Sequence, residues 1–96
     1  MGLFDRFRLS GNPRTEMLDP ITETPRDEAL RLINEGNLIE EAGQLDEALC
    51  RYDAAIDRAP DLARAHMNRG NILLAQGNAD SALHAYRKAL ELEPDY

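Results

Sequence analysis

Displaced by 34 residues, this chain lies on itself: residues 29–62 align with residues 63–96 without a gap, and twelve positions are identical. They are Ala29/Ala63, Asn34/Asn68, Gly36/Gly70, Asn37/Asn71, Gly43/Gly77, Asp46/Asp80, Ala48/Ala82, Leu49/Leu83, Tyr52/Tyr86, Ala55/Ala89, Pro60/Pro94 and Asp61/Asp95. A repeated unit of this size is one supersecondary element. It cannot bury its apolar face alone and must stack on a neighbour. The chain is thereby restricted to a stacked array.

The apolar residues give the unit its secondary structure. Ala29, Leu32, Ile33, Gly36 and Ile39 recur at helical spacing and form one face. Thr24 is suited to cap this helix, with Pro25 at its first position and the acidic Asp27 at its third. Gly43 ends it. Ala48, Leu49, Tyr52, Ala55 and Ile56 mark a second helix, closed by Pro60. Asp61 is placed to cap a third, which runs to Gly77, and Asn78 or Asp80 starts a fourth, which stops before Pro94.

Residues 1–24 read differently. Ser10, Gly11, Asn12, Pro13, Asp19 and Pro20 punctuate the stretch and exclude a long helix. An irregular or flexible leader is expected over 1–24, ahead of a repeat domain over 25–96. Leu3 to Phe7 could form one amphipathic turn, and docking on the domain, contact with a membrane surface and disorder all stay open for it.

A 34-residue period with two helices per unit resembles the tetratricopeptide repeat (TPR). The likeness covers 29–62 and 63–96. Gly36 and Gly70 occupy the small position of the first helix, and Ala48 and Ala82 the small one early in the second. Tyr52 and Tyr86 follow a turn later, then Ala55 and Ala89, then Pro60 and Pro94. Two departures stand out. His66 replaces the bulky residue that repeat one has as Leu32, and Glu35 and Arg69 precede the glycines where Leu is common. Both departures are expected to weaken packing between first helices. The resemblance implies an all-α superhelix of two helix-turn-helix repeats.

It also implies a function. In this family the first helix of each pair lines a concave surface that takes extended peptides. Helical geometry then selects Ile33, Asn34, Asn37, Glu40 and Glu41 from repeat one as groove residues, and Arg64, Met67, Asn68, Asn71, Leu74 and Ala75 from repeat two. The four asparagines carry both a donor and an acceptor, so they can pair with a peptide backbone whatever its side chains. They resemble the asparagine ladder of protein O-linked N-acetylglucosamine transferases. The competing reading is that they bond neighbouring helices. Asn37 and Asn68 also resemble two asparagines of a co-chaperone carboxylate clamp, but that clamp needs a lysine where Ile33 stands and basic residues from a third repeat. Glu40 and Glu41 make the repeat-one end acidic, so a bound segment should carry Lys or Arg there; a solvated helix face is the alternative.

Charge and composition narrow the partners to protein. The net charge is -7, and residues 29–62 carry eight acids against three bases, which repels nucleic-acid phosphates and anionic lipids. No run approaches the ~18 apolar residues of a membrane span. The lone Cys50 forms no internal disulfide and suits a reducing, cytoplasmic setting. Catalysis is not expected: Cys50 and His84 share a repeat position one unit apart, and His66 reads as a packing residue. One Cys and two His offer no metal-ligand spacing, and no Gly-rich phosphate loop is present, so no cofactor is expected.

Two functional classes fit. One is a binding scaffold for a peptide or partner protein. The other is an N-terminal targeting or oligomerising segment of a larger enzyme, such as a glycosyltransferase or methyltransferase. Leu83, Tyr86 and Leu90 form an uncapped apolar face on the last helix, and two expectations stay open for it: a further repeat that covers it, or burial by self-association as a homodimer or by stacking.

Overall fold

A computed structural model describes residues 23–95; most of the expected leader, and Tyr96, lie outside the described residues. The fold is all-α, as expected. Helices α1 (Pro25–Glu41), α2 (Leu45–Arg58), α3 (Ala63–Ala75) and α4 (Ala79–Leu92) follow in order, with no strand among the described residues.

Local chemistry sets the helix ends. At the start of α1 the Asp27 backbone N–H donates to Thr24 Oγ1 (3.0 Å) and the Thr24 N–H donates to Asp27 Oδ2 (3.3 Å). This reciprocal capping box satisfies two of the orphan donors of the first turn. Both first helices end alike. Gly43 and Gly77 take φ of +82°, a left-handed conformation that glycine adopts without steric cost. Gly43 N–H then donates to the Glu40 carbonyl and Gln44 N–H to that of Ile39. Gly77 with Leu74, and Asn78 with Leu73, repeat the pattern. These paired bonds are Schellman closures, and they turn the chain back for an antiparallel second helix.

The third helix departs from expectation. Its N-cap is Leu62, and no side chain caps it. Asp61 sits one residue too early, and its carboxylate lies 3.8 Å from Arg26 of α1 instead. Helix α4 starts from Asn78, with Asp80 in its first turn.

Helix α1 packs on α2, α3 on α4, and α2 joins the two pairs by packing on α3. The core is built largely from alanines, with Ala29, Ala48, Ala55 and Ala65 fully buried, so helix axes approach closely. Tyr52, Ile33 and Ile72 are its largest fully buried side chains. Burying a side chain such as Ile33 or Ile72 stabilises by roughly 1.5–3 kcal/mol.

Ile33 therefore corrects the groove expectation. It stands three residues before Gly36, and residues three apart share a helix face. Gly36 faces α2, so Ile33 does too, and it is entirely buried.

Candidate functional site

The glycine of each first helix positions a tyrosine. A Cβ on Gly36 would lie 2.6 Å from Tyr52 Cε1, and one on Gly70 would lie 2.7 Å from Tyr86 Cε1. Only a bare backbone lets the rings pass. The Tyr52 ring is buried beneath α1, and its hydroxyl reaches the seam between α1 and α3.

A polar network gathers there. Tyr52 Oη lies 2.7 Å from Asn37 Oδ1 and 2.8 Å from Glu40 Oε1, and Asn68 Nδ2 lies 3.3 Å from Asn37 Oδ1. One phenol proton cannot serve two acceptors. Turning the Asn37 and Asn68 amides by 180° satisfies every contact, because the two ends of an amide are interchangeable in shape. Tyr52 then donates to Glu40, while the Asn37 amide donates to Tyr52 Oη and to the Asn68 oxygen. Burial, and next the hydrogen bond to Glu40, push the Tyr52 phenol well above its usual range; the nearby Arg64 opposes this slightly.

The second repeat keeps half of this arrangement. Tyr86 Oη donates to Asn71 Oδ1 (2.6 Å), but Leu74 occupies the repeat position of Glu40, so no carboxylate joins. Further along the seam Arg64 Nη2 is 3.4 Å from Asn34 Oδ1. Arg64 also borders an open depression of about 280 Å³ that contains Arg26, Leu30, Asp61 and Glu93.

Of the groove residues expected from sequence, Asn34, Glu41, Arg64 and Asn71 are exposed, and Asn37, Glu40, Met67 and Asn68 are half-buried. Direct side-chain bonds bring Asn34 to Arg64 and Asn37 to Asn68, with Glu40 tied in through Tyr52. Met67 stands at the repeat position of the buried Ile33. Tyr52 was missed as part of the site, because its hydroxyl is silent in a pattern that treats it as an aromatic filler.

The charged residues ahead of the glycines join helices. Glu35 lies 3.1 Å from Arg31 and 3.5 Å from Arg51 Nε of α2, a contact that is Coulombic because its geometry makes no hydrogen bond. Arg69 pairs with Asp53 at 2.7 Å, tying α3 to α2 across the repeat junction. Gln76 Nε2 donates to Asp46 Oδ1 at 2.7 Å across the same junction. These exposed pairs contribute at most about 1 kcal/mol each and act mainly on register.

Cys50 and His84 are exposed on second helices, and His66 is half-buried with Nε2 2.9 Å from the Pro60 carbonyl. Among the described residues no group of three or more His, Cys, Asp or Glu converges on a metal position, and no helix is long and apolar enough to cross a membrane.

Comparison with known families agrees with this architecture. A model described as tetratricopeptide repeat matches residues 63–96, and one described as TPR repeat matches residues 36–77. No curated protein matched the chain. Two stacked helix pairs in a 34-residue period, each opened by a glycine against a tyrosine, meet those matches over residues 36–96, and the chain belongs to the tetratricopeptide-repeat family.

Proposed function

We propose that the chain is an interaction scaffold that holds an extended segment of a partner protein along the α1–α3 seam. Repeats of this family generally mediate protein–protein interaction. The proposed contact surface comprises Asn34, Asn37, Glu40, Glu41, Arg64, Met67, Asn68 and Asn71. The observation that carries it is the Asn37–Asn68 bridge, 3.3 Å long and anchored on Tyr52. Each side-chain amide carries both a donor and an acceptor, so a bridged pair is chemically suited to a peptide group. An anchored amide has already lost its rotamer freedom, so pairing with a ligand costs less entropy. Glu40 and Glu41 favour a segment bearing Lys or Arg. Asn34, Glu41, Arg64 and Asn71 are exposed along it, which suits an extended chain better than a small molecule. The exposed Cys50 suits a reducing compartment such as the cytoplasm. Self-association through the exposed face of α4 is a second component of the proposal, favoured by Leu83 and Leu90 at 48% and 47% exposure.

The test is a peptide-library screen on the purified chain beside N34A/N71A and the quadruple variant that adds N37A and N68A. Captured peptides should be rich in Lys or Arg, bind N34A/N71A several-fold more weakly, and fail to bind a folded quadruple variant. Equal capture by all three proteins would overturn the groove proposal.

A further inference from the structure

The 34-residue translation that carries repeat one onto repeat two can be applied once more. Applied to the junction inside the chain, it gives the residues that would meet if a second copy stacked its first repeat on α3 and α4. Inside the chain, Ile72 of α3 is fully buried in a cluster against which the partly buried Leu49 and Ile56 of α2 pack. Translated, the receiving residues are Leu83 and Leu90 of α4, half exposed, and the entering residue is Leu38 of α1, 68% exposed. Three of the four large exposed hydrophobics of the described chain thus fall on opposite sides of one junction.

The charges follow the same translation. Asp53 accepts from Arg69 across the internal junction at 2.7 Å. The repeat position of Asp53 is held by Arg87, and that of Arg69 by Glu35. Both signs have reversed together, so attraction is preserved at a junction between copies. An isolated change at either position would have placed like charges opposite one another. Asn71 and Asn34 would likewise face each other as Asn37 and Asn68 do.

We propose that the chain stacks head to tail with a second copy, α1 of one copy entering against α4 of the other, with Glu35 opposite Arg87 and Leu38 on Leu83 and Leu90. This rests on the reading that the α4 face is an association surface, and it fixes the partner and the register. The junction is looser than the internal one, because Arg31 stands where the fully buried Ala65 packs. A heterologous contact of this kind does not close at two copies, so assemblies grow into open filaments or rings. The seam would then continue from copy to copy and lengthen the surface available to a peptide.

Sedimentation velocity over a concentration series tests this with the full chain, E35R, R87E, L83D and an equimolar mixture of E35R with R87E, each checked for helicity by circular dichroism. Wild type should grow in mass with concentration past the dimer. E35R, R87E and L83D should each associate several-fold more weakly. The mixture should regain wild-type association, because Arg at 35 then meets Glu at 87 and native faces meet at the alternate junction. A chain that stays monomeric throughout overturns both the stacking and the reading of α4 as an association face. Association that is indifferent to both reversals, or that the mixture does not restore, overturns the head-to-tail register while self-association stands.

Discussion

Tyr52 does two jobs with one side chain: its ring fills the core under Gly36, and its hydroxyl anchors the amide bridge of the seam. Tyr52→Phe should keep the packing and lose the bonds, costing about 1 kcal/mol in chemical denaturation. Tyr86→Phe should cost less, since Tyr86 is only half-buried and, among the described residues, bonds Asn71 alone. The raised Tyr52 pKa carries a sign. The folded state favours the protonated phenol, so its contribution is full below about pH 10, the ordinary phenol value, and is lost as pH climbs towards the higher folded value. Wild-type stability should therefore fall above pH 10 more steeply than that of Tyr52→Phe, as read by urea midpoints at pH 8 to 11. Gly36→Ala sets a steric cost of about 1–3 kcal/mol against a helix-propensity gain near 1 kcal/mol. The ring beneath it is locked in the core, so the net should be destabilising. Gly70→Ala should come nearer to neutral, because the half-buried Tyr86 ring can yield. Equal melting-temperature losses for the two variants would contradict this difference in room.

At the level of the helix, stability is unevenly distributed. Among the described residues, a side-chain N-cap is found at α1 and not at α2, α3 or α4. Thr24→Ala should cost about 1 kcal/mol and fray the first turn of α1, seen as faster amide exchange at Asp27 and Glu28. The helices themselves were legible in sequence because their signals are local: a capping threonine before proline, a glycine at each first-helix end, a proline after each second helix. Asp61 misled because position relative to the N-cap is decided by where the chain turns out of α2, and the turn placed Leu62 at the cap. Ile33 misled for a different reason. The face of a helix follows from i, i+3 spacing, and its distance from Gly36 puts it in the core. The roles of Glu35 and Arg69 depend on neighbouring helices, so their polar character read as weakened packing when it supplies ion pairs to α2.

Across the whole molecule, the two repeats are unequal. Repeat one holds the acidic Glu40 and the buried Tyr52, and repeat two ends in half-exposed leucines. The asparagines were visible in sequence as a ladder, with ligand contact and helix bonding as rival readings. The structure shows all four bonded to other side chains: Asn34 to Arg64, Asn37 to Tyr52 and Asn68, and Asn71 to Tyr86. The most direct measurement follows the side-chain amide signals of Asn34, Asn37, Asn68 and Asn71 by nuclear magnetic resonance while a Lys/Arg-bearing peptide from the screen is added. Shifts concentrated on these amides and on the backbone of α1 and α3 are the expected result. Shifts confined to α2 and α4, with the four amides unmoved, would contradict binding along the seam.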